Sequence, residues 1–293
     1  MNQDNKNLII AIDGGGSTCR VNICQLDGIV LGAAVGGAAN LTTDFTAAVA
    51  TILATIGTAY KSANLSPDCK PNDYAYLGLA GAKLPGLTMQ LEQALPFKNI
   101  IVTTDQHITI QGAMGDQDGA IASLGTGSFF VKRQHGKIRH VGGWGMQLGD
   151  ECSGAYLGRG LLRRSLHAYD GLVEHSGLSQ NIMQHFGGSP QKMIIFARTA
   201  SPQDYASFAP QLIEAFEQGD TNAKEIVNVA VKTLDSTLDA LDVKAAGVLY
   251  MLGGLGAFYQ NLLHPDYQKI CQPPKANAMA GAIMLAQQKW ART

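Results

Sequence analysis

The sequence predicts an α/β protein made of two related halves, each holding a mixed β-sheet. Three observations lead there. Five apolar residues, Leu8–Ile12, end in Asp13 and the turn Gly14-Gly15-Gly16-Ser17, after which Cys19, Val21 and Ile23 resume a two-residue alternation. That is a buried strand folded back as a hairpin. Strand-like and helix-like segments then follow in the order β-β-β-α-β-α-β, which a simple βαβ alternation does not produce. At Gly119 the pattern of strand, glycine-hydroxyl turn and returning strand begins again, the mark of an internal duplication.

Taken in order, Leu26-Asp27-Gly28 turns the chain into a third strand, Ile29–Ala34. Gly36-Gly37-Ala38-Ala39-Asn40 makes a small-residue loop that ends in an amide, and Thr43 or Asp44 caps a helix reaching Lys61. Tyr74–Leu79 is a strand that runs into Ala80-Gly81. A helix follows at Pro85–Leu95, and Asn99–Thr103 is an apolar strand followed by the carboxylate Asp105. The second run is Gly119–Leu124, Phe129–Arg133 and Lys137–Val141, with Gly125-Thr126-Gly127-Ser128 and His135-Gly136 as its turns. Beyond Trp144 the periodicity is helical, at 152–168, 190–198, 202–218 and 220–242; Ser189-Pro190, Ser201-Pro202 and Asp220 supply start signals. A strand, Gly247–Leu252, ends in Gly253-Gly254, and a helix over 277–292 closes the chain. The boundary between halves falls near Gln111–Asp118.

Composition narrows the function. The 293 residues suffice for a sizeable buried core. A net charge of −1 leaves no electrostatic footprint for nucleic acid or an anionic membrane surface. The 34 glycines, about 12% against a usual ~7%, gather at strand ends and so read as ligand turns. The five cysteines, Cys19, Cys24, Cys69, Cys152 and Cys271, show neither CxxC pairing nor histidines at zinc spacing, and read as free thiols. No signal peptide opens the chain, and the uncharged stretch around Phe45–Tyr60 is too short to span a bilayer. A soluble cytoplasmic protein is the expectation. The oligomeric state, monomer or homodimer, is not set by these features.

The glycine turns carry the chemistry. Glycine lets backbone approach a ligand closely, and exposed N–H groups in such a turn form an anion nest. Asp13, at a strand end, is a candidate to hold Mg²⁺ through water, since Mg²⁺ keeps its waters and uses few carboxylates. A plain hairpin turn is the other reading of the same residues. The turn is not a Walker loop, because no Gly-Lys-Ser/Thr occurs, nor a dinucleotide fingerprint, because a strand rather than a helix follows it. Taken together, Gly14-Gly15-Gly16-Ser17, Gly125-Thr126-Gly127 and Gly253-Gly254, with carboxylates at two strand ends, suit nucleotide phosphates and an acceptor that needs one base.

These motifs make the chain resemble the actin/hexokinase/Hsp70 ATPase superfamily, whose core is two duplicated RNase H-like domains around an ATP cleft. Within it the chain is similar to the N-acetylglucosamine and glucosamine kinases. The resemblance rests on Asp13-Gly-Gly-Gly-Ser, the Asn40 loop, Gly78-Leu-Ala-Gly81, Thr103-Thr-Asp105, Gly125-Thr-Gly-Ser128, Gly142-Gly-Trp-Gly145 and Leu148-Gly-Asp-Glu-Cys-Ser-Gly154, which recur in family order over nearly the whole chain. It implies domains at 1–112 and 113–276, with the final helix, 277–293, packed back on the first. It implies ATP and Mg²⁺ as cofactors, a small sugar as substrate, and phosphorylation of N-acetylglucosamine at O6. Asp105 would take the 6-hydroxyl proton; Asn40 and Asp150 would bind sugar hydroxyls; Gly81, Thr126 and Trp144 would lie at the sugar. Gly14, Gly15, Gly16 and Ser17 would form one phosphate turn, Gly125, Thr126 and Gly127 the other, and Gly253 and Gly254 would flank adenosine.

There are departures. Many relatives have Gly where this chain has Cys152, and a small residue where it has Gln106-His107. Taken singly, Asp105 could be a helix cap, Asn40 a turn residue and Trp144 a packing anchor. Cys152 at a helix start could carry a lowered pKa, though inert burial is the reading preferred. Glucosamine kinase is the nearest rival function. The activator ATPases of acyl-CoA dehydratases and reductases share the fold, but they carry cluster cysteines, and the scattered cysteines here argue against that chemistry.

Overall fold

The computed structural model describes residues 7–66 and 71–291, so Cys69 lies outside the described residues. The chain divides into two compact units, Met1–Gln117 with Pro274–Thr293, and Asp118–Pro273.

The first unit contains β1 (Ile9–Gly14), β2 (Cys19–Cys24), β3 (Val30–Gly36), α1 (Phe45–Ser62), β4 (Tyr74–Leu79), α2 (Pro85–Ala94), β5 (Asn99–Thr104) and α3 (Asp105–Met114). Its sheet runs β3-β2-β1-β4-β5, with β1 antiparallel to β2 and parallel to β4. The unbroken apolar run of β1 follows from burial on both faces. Ile10 and Ile12 join a core with Ile52 and Ile56 of α1. Ile9 and Ala11 join a second core with Ile108 of α3 and with Met279, Ala282 and Ala286 of the C-terminal helix. Asp44 caps α1, accepting from the Ala47 N–H at 2.9 Å. Buried Asp73 takes hydrogen bonds from the Tyr60 hydroxyl at 2.6 Å and the Leu8 N–H at 2.8 Å, which pins the start of β1 to the segment before β4.

The second unit contains β6 (Gly119–Leu124), β7 (Ser128–Gln134), β8 (Lys137–Gly142), α4 (Gly154–Tyr169), α5 (Gly177–His185), α6 (Pro190–Thr199), α7 (Pro202–Ala206), α8 (Ala209–Glu217), α9 (Thr221–Ala240), β9 (Leu249–Leu252), α10 (Gly256–Gln260) and α11 (Pro265–Gln268). Helix α12 (Ala278–Trp290), capped by Asn277, belongs to the first unit. The second sheet runs β8-β7-β6-β9, with β6 parallel to β9, matching the first four strands of the other sheet. A lone parallel bridge from Leu249 to Cys271 stands where a fifth strand would lie.

Several elements differ from the sequence expectation. Asp105 does not merely follow a strand; it opens α3. The helix is inconspicuous because both its faces are covered, so its sequence lacks an amphipathic stripe: Gln106, Ile108, Ile110, Gln111, Ala113 and Met114 are all buried. The units divide at 117/118, within the 111–118 stretch, and at 273/274, and the carbonyls of Gly112 and Ala113 in α3 accept from Ala276 and Lys275. The segment 202–218 is two helices, broken where Phe208 precedes Ala209-Pro210. Helix α4 starts at Gly154, since Cys152 is left-handed at φ +65°. Helices α5, α10 and α11 were not expected.

Candidate active site

In the first unit three segments meet at the C-terminal ends of β1 and β4. The Gly15 N–H closes its turn on the Thr18 carbonyl at 2.8 Å, and the Gly15 carbonyl accepts from Ala39 at 2.9 Å. The Gly14 carbonyl accepts from Ala80 at 2.8 Å, and the Ala80 carbonyl accepts from Leu41 at 3.1 Å. The glycine turn, the Asn40 loop and the Ala80-Gly81 turn are thus stitched together by backbone. Gly16 and Ser17 are exposed at the tip. Asn40 Oδ1 accepts from the Thr42 N–H at 3.0 Å and the Thr42 hydroxyl at 2.8 Å, which fixes the side chain. Gly81, at φ +84°, passes so close that a Cβ there would sit 2.7 Å from Asn40 Oδ1.

Asp105 is set by packing. A Cβ on Gly78 would overlap Ile108, and one on Gly281 would overlap the Ile108 carbonyl, so α3 can lie close on both β4 and α12 only because those positions are glycine. Thr104 caps the helix, accepting from the His107 N–H at 3.2 Å, and Asp105 Oδ1 accepts from the Gln106 N–H at 2.9 Å. Burial pushes the Asp105 carboxyl above its ordinary range; the Gln106 N–H opposes this, Asp13 adds to it, and Lys83 opposes it. Burial also raises Asp13, with Arg20 opposing it from 3.4 Å. Two carboxylates that repel each other beside the glycine turn are what a divalent cation relieves. Asp13 therefore fits a water-mediated Mg²⁺ site. Among the described residues no group of three or more His, Cys, Asp or Glu could enclose a metal.

In the second unit the Gly125–Gly127 turn rests on the start of α4: Gly154 donates to the Gly125 carbonyl at 2.8 Å and Ala155 to the Thr126 carbonyl at 3.1 Å. Ser153 caps α4. Asp150, left-handed at φ +58° and buried, lies against Gly127, where a Cβ would come within 2.8 Å of Oδ2. Its Oδ1 accepts from the Gly145 N–H at 3.2 Å, which closes the loop that carries Trp144. Trp144 is 74% exposed and Leu148 87% exposed, an apolar pair held out from that loop. Gly253, at φ +82°, packs against the Leu124 carbonyl and the Gly125 N–H, and Gly254 beside it is exposed.

Three contacts escaped the sequence. The Thr126 hydroxyl donates to Gln203 Oε1 at 2.8 Å, from 77 residues away, and no local pattern announces it. Lys83, which acts on Asp105, stands two residues beyond Gly81, where a charge beside a motif was a usable signal. Arg20 opposite Asp13 follows from hairpin register. His107 is exposed with Nδ1 3.0 Å from the Thr103 hydroxyl. Cys152 is buried: burial pushes its thiol up to about 12, with Glu151 and Asp235 adding to the shift, and it donates to the Ala230 carbonyl at 3.2 Å.

A strand order repeated in two units, with a glycine turn after the first strand of each, defines the actin-like ATPase fold that sugar kinases use. Residues 10–286 match the BadF/BadG/BcrA/BcrD ATPase family, and the chain belongs to it. It is 33% identical over 281 residues to a glucosamine kinase of Vibrio cholerae, spanning 96% of each chain. It is 25% identical over 299 residues to an N-acetylmuramic acid/N-acetylglucosamine kinase of Clostridium acetobutylicum, spanning 95% of this chain and 97% of that one. Among solved structures, a candidate N-acetylglucosamine kinase from Chromobacterium violaceum has a TM-score of 0.87 at 30% identity, covering 96% of this chain and 99% of its own. A ROK-family glucokinase from Streptomyces griseus, with a TM-score of 0.58 at 16% identity and coverage of 96% and 100%, shares the fold.

Proposed function

We propose that the protein is an ATP-dependent amino-sugar kinase that phosphorylates N-acetylglucosamine at O6. The observation that carries the reading is Asp105, a carboxylate held above its usual pKa at the first turn of α3, in the unit whose glycine turn follows Asp13. Such a group suits general-base work near neutral pH. Asp105 takes the proton from the 6-hydroxyl as the O6–P bond forms and the bond from the γ-phosphorus to ADP breaks. Asp13 would hold Mg²⁺ through water, and the ion would supply neutralisation of phosphate charge. Gly14, Gly15, Gly16 and Ser17 form one phosphate turn, whose exposed tip at Gly16 and Ser17 faces the anion, and Gly125, Thr126 and Gly127 form the other. Gly253 and Gly254 leave room for adenosine. Asn40, Gly81 and Asp150 bind and orient the ring hydroxyls.

Trp144 offers an apolar wall to an acetamido methyl, which supports N-acetylglucosamine. Free glucosamine is the second reading, favoured by the 33% identity to the Vibrio cholerae enzyme, and Glu151 is the carboxylate that could receive its amine. An ADP-release assay over a panel of hexoses and amino hexoses tests the proposal. ADP release dependent on an amino sugar is expected; release that no sugar stimulates overturns it.

A further inference from the structure

One face of α4 carries Arg159, Arg163 and His167 at four-residue spacing, with Arg164 beside them. Residues so spaced lie one above another along a helix. Two cavities, of about 350 and 290 Å³, open along this face, and Arg159, Arg163 and His167 line both. Met193, Ala197 and Tyr205 wall the first, Ile226 and Val229 the second, and each has a single carboxylate in its wall, Asp170 or Glu225.

The arginines are unevenly committed. Arg164 Nε donates to Asn222 Oδ1 at 2.8 Å, and Arg159 Nη1 donates to the Met146 carbonyl at 2.7 Å. Arg163 is exposed and has no hydrogen-bond or ion-pair partner among the described residues. None of the three is ion-paired to a carboxylate within that set. Guanidinium forks match planar oxyanions bidentately, and the first cavity, about 350 Å³, reaches the lower range of small-molecule sites, about 300–1,000 Å³. The cavity walls are apolar next to the charge, as a small organic anion requires.

We infer that this α4 face binds a small phosphate ester. Its phosphoryl group sits on Arg163 and Arg159, and its organic part lies against Met193, Ala197 and Tyr205. The Arg159 contact also reaches the sugar-side loop, because Met146 lies between Trp144 and Asp150. An anion that engages Arg159 acts on the hydrogen bond that holds this loop, so occupancy is read at Trp144. The site itself does not depend on the kinase reading, since it uses none of the residues assigned to catalysis.

The test is calorimetric titration of the full chain with glucose 6-phosphate and, separately, inorganic phosphate. Each is run with and without a saturating non-hydrolysable ATP analogue plus amino sugar. Glucose 6-phosphate should bind in both conditions and more tightly than phosphate, and it should change Trp144 fluorescence. Arg163→Gln should weaken it about tenfold or more, the loss of one charge-assisted pair. Arg163→Lys, which keeps charge without the fork, should fall between, and basal turnover should stay within about twofold in both variants. Binding that disappears when the nucleotide and sugar sites are filled, that Arg163→Gln leaves intact, or that phosphate alone matches would overturn the assignment.

Discussion

Gly253 stands against the carbonyl of Leu124 so closely that a side-chain carbon at 253 would overlap that oxygen, and its backbone is left-handed at φ +82°. Leu255 donates to the same carbonyl at 3.0 Å, so the turn after β9 and the turn after β6 are one assembly. Gly253→Ala adds strain of about 1–3 kcal/mol before any clash. It should lower the Tm by about 2–4 °C per kcal/mol and raise the KM for ATP severalfold. Gly254→Ala meets nothing within 4 Å and serves as the control. Equal melting temperatures for the two variants by calorimetry would count against this packing argument.

Asp105→Asn keeps the shape and the acceptor that takes the Gln106 N–H, but it removes the base. General-base catalysis is worth typically ~10²–10⁴-fold, so kcat should fall in that range while sugar binding changes far less. Steady-state kinetics with a direct binding measurement separates the two. A variant that keeps more than about a third of kcat would assign the base elsewhere, with Asp150 next in line.

The same substitution should stabilise the protein at neutral pH. Burial, with repulsion from Asp13, raises the Asp105 carboxyl in the folded state. A carboxyl raised on folding binds its proton more tightly there, so its stability is full below the unfolded value near 3.9 and is lost as pH rises through the folded value. Asn does not titrate. Asp105→Asn should therefore melt above wild type near pH 7, and the gap should close toward about pH 4. Calorimetric melts across that range would show it; a gap that widens in acid would contradict the assigned cause.

Trp144 is exposed, whereas Trp290 stacks on Tyr74 with ring centroids 5.1 Å apart and meets Tyr76 edge-on at 6.2 Å. Amino-sugar binding should change tryptophan emission through Trp144 alone. The change should weaken strongly in Trp144→Phe, where Trp290 remains. An undiminished signal in that variant would place the reporter, and the sugar contact, away from this loop.

Substrate preference follows from what each sugar leaves unpaired. An acetamido group wants an apolar wall and partners for its N–H and C=O, whereas an amine, largely cationic, wants a carboxylate. One unpaired buried polar group costs ~1–3 kcal/mol, about 5- to 150-fold in affinity. N-acetylglucosamine should exceed glucosamine in kcat/KM by about tenfold or more when both are assayed at saturating ATP. The reverse order would turn the assignment to glucosamine and Glu151.

Local chemistry made much of this molecule legible in the sequence. The run Leu8–Ile12 announced a buried strand, Thr43 or Asp44 announced a helix cap, and the glycine turns marked the strand ends. These features are legible because they depend on neighbours in the chain: side-chain periodicity, capping and the φ freedom of glycine. Helix α3 was not, because a helix covered on both sides has no polar stripe to give it away. Its placement rests on Gly78 and Gly281, residues distant in sequence that matter only once β4 and α12 press on Ile108. What lifts the Asp105 carboxyl is likewise tertiary. Burial and the charges of Asp13 and Lys83 act through space, and distance in the folded chain sets their strength.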